Sequence, residues 1–537
     1  MRRVTATTQG RGAMDPAAPR RPGAAGRGHG PVFLELQRAA GNRAVTGFIQ
    51  RKFGFEAELQ INTFGPEQKS DDAKKFKRGA LKDDGDHDGK ECPPEVANFL
   101  VHGLPYNEPH GQNDSFFLKP DHGESSLAVG NLFNMLSWRG FAPNPDDVLN
   151  AQTVPSNLEY ASKAIDELAP GSTAQLEKQV KDVQQHVDAI FKGRPRERIF
   201  EIPAPAEKMW TGVPVQALKD WLGPAFTNEL IQGELKALQD ALQDSFYLQV
   251  TAGIIPSALP ELYKKDALAH AIAGREDAAG PPRVYAAMAM NIYEVMHDLA
   301  TYAKFKNHTF VKGLTTVESE ALLGLLHLAY SYVVGTAVNL TDAFPASTEK
   351  NAVPFLAHMH WPTLRDLALP EKVRPQNVPD DLVRIVGLYF ANQALSSPSG
   401  WVHAGLGLKH LPESEAKTRS SLMGGDGVEN FVERLFGLHG EDEAFVPFAF
   451  GKEWTGDEQR PEVQKVSGGQ LGIPLERRFI ADRPSSQDLL GVLKGFLKEA
   501  RELNTRHLED KGSALIKAAD GPAVASGAES KDKERKQ

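Results

Sequence analysis

An α+β fold, with a mostly antiparallel sheet carrying large helical insertions, is the class this sequence predicts. Three observations lead to it. Four separate strand-like segments place carboxylates or amides on a polar face. Long stretches between and after them have apolar residues at helical spacing. The chain has 537 residues, 41% hydrophobic and 24% charged, the balance of a globular body rather than a fibre or membrane bundle.

Residues 1–30 are rich in Gly, Ala, Pro and Arg with almost no large apolar side chains, so they predict a disordered arm. In 31–52, Phe33, Leu36, Ala40, Ala44, Val45, Phe48 and Ile49 fall near helical spacing around Gly41-Asn42, which reads as a short amphipathic segment. The body opens at 53-FGFEAELQINTF-64, with Phe55, Ala57, Leu59 and Ile61 alternating against Glu56, Glu58, Gln60 and Asn62, as in a half-buried strand. A polar, charge-mixed loop covers 65–91. A second strand-like patch lies in 115–126, a helical hairpin pattern in about 159–192, and another strand in 246–255, with Gln249 and Thr251 on one face and Leu248, Val250 and Ala252 on the other. Residues 260–345 read as mostly helical, with further helices in 380–396, 427–438 and 486–509. In 472-GIPLERRFI-480, an extended backbone would put Glu476 and Arg478 on one face. A tail over 518–537 has alanine and one valine as its only apolar residues and predicts disorder.

Composition excludes several functions. With 61 basic and 70 acidic residues and a net charge of −9, the chain lacks the footprint of a dedicated nucleic-acid binder. The single cysteine, Cys92, excludes an internal disulfide framework and a multi-cysteine zinc site, and with no histidine partner in view it reads as inert. No apolar run follows the N-terminal arginines, so no secretory signal is expected. The uncharged run 321–340 meets the length of a membrane span, but His327, Tyr330, Ser331, Tyr332 and Asn339 within it favour a buried core helix.

The polar faces hold the chemistry. Glu56 with Glu58, Asp121, Gln249 with Thr251, and Glu476 with Arg478 offer oxygen ligands suited to magnesium beside an arginine suited to phosphate. Wet faces of ordinary half-buried strands show the same pattern, so spacing leaves both readings open. His358 and His360 would share a strand face but lack an identifiable third zinc ligand, and Gly424-Gly425-Asp426-Gly427 reads as a plain loop.

Two resemblances add to this reading. The words LQRAAGNRAV, followed by an apolar pair and Gln50-Arg51, resemble the N-terminal signature of cargo proteins of bacterial contractile injection systems, over residues 34–51. That likeness implies residence in a bacterial cytoplasm, with loading into an injection particle through 31–52 as the route outside the cell. In the body, the order Gly-Phe-Glu-Ala-Glu, Leu-Lys-Pro-Asp, Asn-Leu-Glu, Gln-Val-Thr-Ala-Gly and Leu-Glu-Arg-Arg-Phe resembles the amidoligase and glutamate–cysteine ligase families, which share the glutamine synthetase catalytic fold. It spans roughly 53–482 as scattered short motifs.

The second resemblance implies a curved sheet of glutamine-synthetase-like type in a domain over 53–517, with a helical insertion about 159–345. It implies ATP and Mg as cofactors, and amide formation between a carboxylate and an amine through an acyl phosphate. By it Glu56 and Glu58 bind metal, Glu476 is a further ligand, and Arg478 contacts phosphate. Glu159, with Glu167 behind it, matches the intermediate acids, Asp121 faces the substrate, and Arg365 is a second anion-binding arginine. The family often has His-x-His-x-Gly where Gln249-Val250-Thr251-Ala252-Gly253 stands here, so amide and hydroxyl oxygens replace imidazoles and supply no general base. A small molecule or peptide is the expected substrate, with no nucleic acid or membrane partner. A non-enzymatic cargo or particle-associated protein keeping a degenerate ligase fold is the competing reading.

Overall fold

The computed structural model describes residues 53–65, 92–104, 109–121, 124–138, 156–192, 197–241, 245–272, 281–337, 355–357, 369–393, 428–438, 464–465, 471–477 and 483–507. The N-terminal arm, the 31–52 segment, the loop over 66–91, the C-terminal tail, His358, His360, Gly424–Gly427, Arg365 and Arg478 lie outside them.

Mixed helix and antiparallel sheet is the architecture found. Strand β1 is Phe53–Phe64, β2 Phe116–Asp121, β3 Ser156–Ser162, β4 Phe200–Glu201, β5 Trp210–Thr211, β6 Phe246–Ile254, β7 Phe355–Ala357, β8 Gln464–Lys465 and β9 Leu471–Arg477. The main sheet runs β2-β3-β1-β6-β9-β7, every pairing antiparallel, with β4 and β5 attached at the far end of β1 and β8 on β9.

The alternation of β1 places Phe53, Phe55, Ala57 and Leu59 in a core with Leu158, Tyr160, Phe246, Leu248 and Val250. Two helices close that face: α3, Ser172–Phe191, and α11, Leu489–His507. Leu176, Val180, Val183, Val187 and Ile190 of α3 recur every three or four residues and meet Leu489, Leu493 and Leu497 in the same core. Each fully buried side chain of this size contributes about 1.5–3 kcal/mol, so the face is fixed by many such residues acting together.

On β1, α1 (Pro94–Val101), α2 (Glu124–Trp138), α4 (Val215–Leu222) and α5 (Glu229–Ala241) gather around Phe64 in a second core that includes Cys92. Burial pushes the Cys92 thiol up, consistent with its reading as inert. A third core extends from Ile254, Ile473, Leu475 and Phe355 into α6 (Leu259–Ile272), α7 (Pro281–Thr301), α8 (Thr316–Ala337), α9 (Asp380–Ala391) and α10 (Val428–Leu435). Helix α8 contains most of the uncharged run and is apolar nearly all round because it is buried, with Leu325, Leu326, Ala329, Tyr330 and Val333 at most 0% exposed. Gly324 lets it approach the turn before α6, since a Cβ there would stand 2.3 Å from the Pro256 carbonyl oxygen. No helix among the described residues is long and apolar enough to cross a membrane.

One expected element differs. The helical pattern read from 159 begins only at Ser172; Ser156–Ser162 is β3. Leu158 and Tyr160 alternate with Asn157 and Glu159, and pairing to strands on both sides overrides the weak helical spacing of this short stretch.

Candidate active site

The opposite face of the sheet carries the polar residues. Strand register aligns them in rows: Lys119 is across from Glu159, Glu159 from Glu58, and Glu58 from Tyr247. In the next rows Glu56 pairs with Gln249, and Thr251 with Glu476. Because side chains alternate along each strand, Glu56, Glu58, Asp121, Glu159, Gln249, Thr251 and Glu476 all belong to this one face. The structure therefore brings together residues far apart in sequence.

Direct opposition of Glu58 and Glu159 would be destabilising if nothing intervened. Lys119 and Asn157 intervene. Lys119 Nζ donates to Glu159 Oε1 at 2.6 Å and lies 3.5 Å from Glu56 Oε1. The Asn157 side-chain amide donates to Glu58 Oε1. Burial pushes the Glu159 carboxyl well above the usual carboxylate range against the pull of Lys119, and Glu56 and Asp121 add to the rise. Burial works to lower Lys119, but Glu159 and Glu56 outweigh it and hold the ammonium above its ordinary value. Lys119 thus stands as a charged ammonium between Glu159 and Glu56.

Gln249 makes the second link. With its amide nitrogen turned toward the acids, it donates to Glu476 Oε1 at 2.7 Å and to Glu56 Oε2 at 3.3 Å. The other orientation would put its oxygen against carboxylate oxygens alone and its nitrogen against donors alone, so the donor orientation is the one the surroundings satisfy. Glu56 consequently has one oxygen toward Lys119 and the other toward Gln249. Further along β1, Gln60 is 2% exposed and neither of its amide atoms is hydrogen-bonded among the described residues. The donors on this face are oxygens, which suit a hard cation such as magnesium. Among the described residues no three His, Cys, Asp or Glu side chains converge to form a metal cage. Magnesium commonly binds through one or two carboxylates plus substrate phosphates, and the approach of Glu56 and Glu476 through Gln249 fits that habit.

Glu167 is not part of this site. Its carboxylate accepts from Asn504 Nδ2 at 3.4 Å, and its backbone carbonyl accepts from Arg501 Nε at 2.7 Å, both on α11, which covers the apolar face. Arg477 also turns away from Glu476. Its guanidinium pairs with Asp266 at 3.0 Å and Glu499 at 3.1 Å and lies over the Phe355 and Phe496 rings. Lys119 and Asn157 are the participants the sequence reading omits. Each stands two residues from a singled-out acid, Asp121 and Glu159, and so shares its strand face; that period-2 rule was the available signal.

No protein-family model matches this chain, and no curated protein matches it. Two solved structures align with it. One is a mutant ACD domain of a VgrG toxin of Vibrio cholerae in complex with ADP and Mn2+, at 11% identity and a TM-score of 0.30, covering 81% of this chain and 96% of that one. The other is a Vibrio cholerae toxin from the MARTX/VgrG family, at 11% identity and a TM-score of 0.29, covering 82% of this chain and 96% of that one. At TM-scores this low, the sheet face itself has to carry any functional reading.

Proposed function

We propose that the polar sheet face is the active site of an ATP- and magnesium-dependent carboxylate–amine ligase. The observation that supports it best is the joining of Glu56 and Glu476, from strands separated by β6, through the one amide of Gln249. Such a pair leaves room for nucleotide phosphates to complete a cation's coordination. In this reading Glu56, Glu58, Glu159 and Glu476 form the acidic wall, with Glu56 and Glu476 as its principal ligands. Magnesium, when bound, supplies neutralisation of phosphate charge.

Lys119 keeps the buried acids from repelling one another and holds Glu56 in place. Asn157 fixes Glu58, and Gln249 and Thr251 sit between β1 and β9 as polar positioning groups. Arg478 and Arg365 are assigned to phosphate or substrate carboxylate, and Asp121 to the substrate side, on the family resemblance. The reaction class is phosphorylation of a carboxylate to an acyl phosphate, followed by capture by an amine with release of phosphate. Positioning and electrostatic stabilisation would be the protein's main contributions. The glutamine-synthetase-like type of sheet belongs to the same proposal, as does delivery by a contractile injection particle through residues 31–52.

Calorimetric titration of MgATP into the wild-type protein and Glu476→Ala tests the site. Magnesium-dependent binding that disappears in the variant supports the ligase; absence of binding to wild type gives the lead to a scaffold that keeps the fold without the chemistry. Deleting residues 1–50 tests delivery, and unchanged co-purification with the particle would refute it.

A further inference from the structure

We propose that the Lys119 ammonium is a built-in cation of this face, held by Glu56 and Glu159 where those acids would otherwise bind a divalent ion, so that the face takes one divalent cation, on its Glu56–Glu476 side. The inference rests on the metal-binding reading of this face and adds to it how many ions the face holds and where. Lys119 is across from Glu159 in the β2–β3 register, and its Nζ reaches 2.6 Å from Glu159 Oε1. The same nitrogen passes beyond β3 to stand 3.5 Å from Glu56 Oε1 on β1. One ammonium thus links acids of two neighbouring strands, as a bound ion would.

Glu56 divides the face into two parts. Its Oε1 faces the ammonium, while its Oε2 faces the Gln249 amide, which also reaches Glu476 Oε1 at 2.7 Å. On the first side the charge between the acids is permanent; on the second the link is a neutral amide. A divalent ion seated between Glu56 and Glu159 would meet the ammonium at close range in a poorly screened place, since Lys119 and Glu159 side chains are only 5% and 6% exposed. Stability alone is a weak reason for a lysine here, because a buried ion pair gains little over a well-packed apolar replacement. An ammonium is a compact point charge with three donors and no acceptor, suited to standing in for a small cation among oxygens. Glu159 then serves the lysine, and Glu56 serves both sides.

Counting Mn2+ tests this, in the presence of a non-hydrolysable ATP analogue, by equilibrium dialysis and by electron paramagnetic resonance, which separates an isolated Mn2+ from a magnetically coupled pair. Wild type should bind one Mn2+ per chain with the spectrum of an isolated ion. Lys119→Ala opens the position and should bind two, with a coupled spectrum, and Mn2+ should raise its melting temperature about 4 °C or more beyond the rise in wild type. Adding Glu159→Gln removes a ligand of the new position and should return the count to one. A lysine that serves folding alone would leave the count of Lys119→Ala at one and give no extra thermal rescue. That result overturns the proposal, as does a coupled pair in wild type. Failure of Lys119→Ala to fold even in Mn2+ also overturns it, because the ion should take over the ammonium's part. Wild-type protein that binds no Mn2+ with the analogue overturns the ligase reading itself, a result distinct from a wrong count in protein that does bind.

Discussion

Lys119 Nζ and Glu159 Oε1 lie 2.6 Å apart on adjacent strands, with side-chain exposures of only 5% and 6%. A pair this deep gains little over a well-packed apolar replacement, yet losing one partner leaves a buried charge uncompensated. Here Glu56 stands 3.5 Å from the same ammonium, so the loss would strand two acids.

Lys119→Met should therefore lower unfolding free energy by about 3–5 kcal/mol, while adding Glu159→Gln should restore a large part of it. Urea unfolding of both variants measures this. Additive losses in the double variant would show that the two groups do not act as a pair.

Glu476 and Glu167 offer a contrast between two buried acids that the family resemblance puts in the same site. Glu167 bonds to Asn504 and, through its carbonyl, to Arg501 on the helix covering the other face. Glu167→Gln should leave MgATP affinity unchanged while costing about 1–3 kcal/mol of stability through the disturbed buried hydrogen bonds. Glu476→Ala should abolish MgATP binding. Equal losses of affinity in both variants would make the effect one of folding rather than of ligation.

Much of this site is legible in the sequence, and the reasons for what is not are local. The alternation in β1 sets Glu56 and Glu58 apart from Phe55 and Ala57 without knowledge of any partner strand. Gln249 and Thr251 are readable in the same way. Glu159 is harder, because Asn-Leu-Glu-Tyr-Ala-Ser also spaces its apolar residues acceptably for a helix, and only pairing to β1 and β2 decides for a strand. Lys119 escapes notice because a lysine on a strand ordinarily points into water; its burial depends on two acids brought from β1 and β3. The role of Gln249 as a bridge depends on strand order, which periodicity does not encode.

Arg477 shows how the next residue along β9 serves stability. Its guanidinium sits between Phe355 and Phe496, at 5.2 and 4.9 Å from the ring centroids, and pairs with Asp266 and Glu499. Arg477→Ala should cost about 3–5 kcal/mol, since it breaks the ion pair at 3.0 Å with the buried Asp266. Arg477→Lys should recover only part, because an ammonium keeps the charge but not the planar fork that stacks and bonds at once. Because the side chain lies opposite Glu476, Arg477→Lys should leave MgATP affinity unchanged. Urea unfolding and calorimetry on the same preparations distinguish these effects.

His327 predicts the acid limit of the helical core. Its ring lies 4.9 Å from the Tyr263 ring, and its Nδ1 donates to the Leu323 carbonyl at 2.7 Å, which fixes the neutral tautomer with the proton on Nδ1. Burial pushes its pKa down to about 4, with the carbonyl contact opposing the shift. The unfolded chain, with a histidine pKa of about 6.5, binds a proton first as pH falls. Stability is therefore fully present above about pH 6.5 and declines as pH drops toward about 4, by up to roughly 3 kcal/mol from this residue. His186, also lowered by burial, adds a loss of the same sign. His327→Gln removes the titrating group, so its unfolding free energy should fall less steeply than that of wild type between pH 6.5 and pH 4. Denaturant unfolding at several pH values in that window checks the slope, and parallel curves for the two proteins would mean that His327 does not govern it.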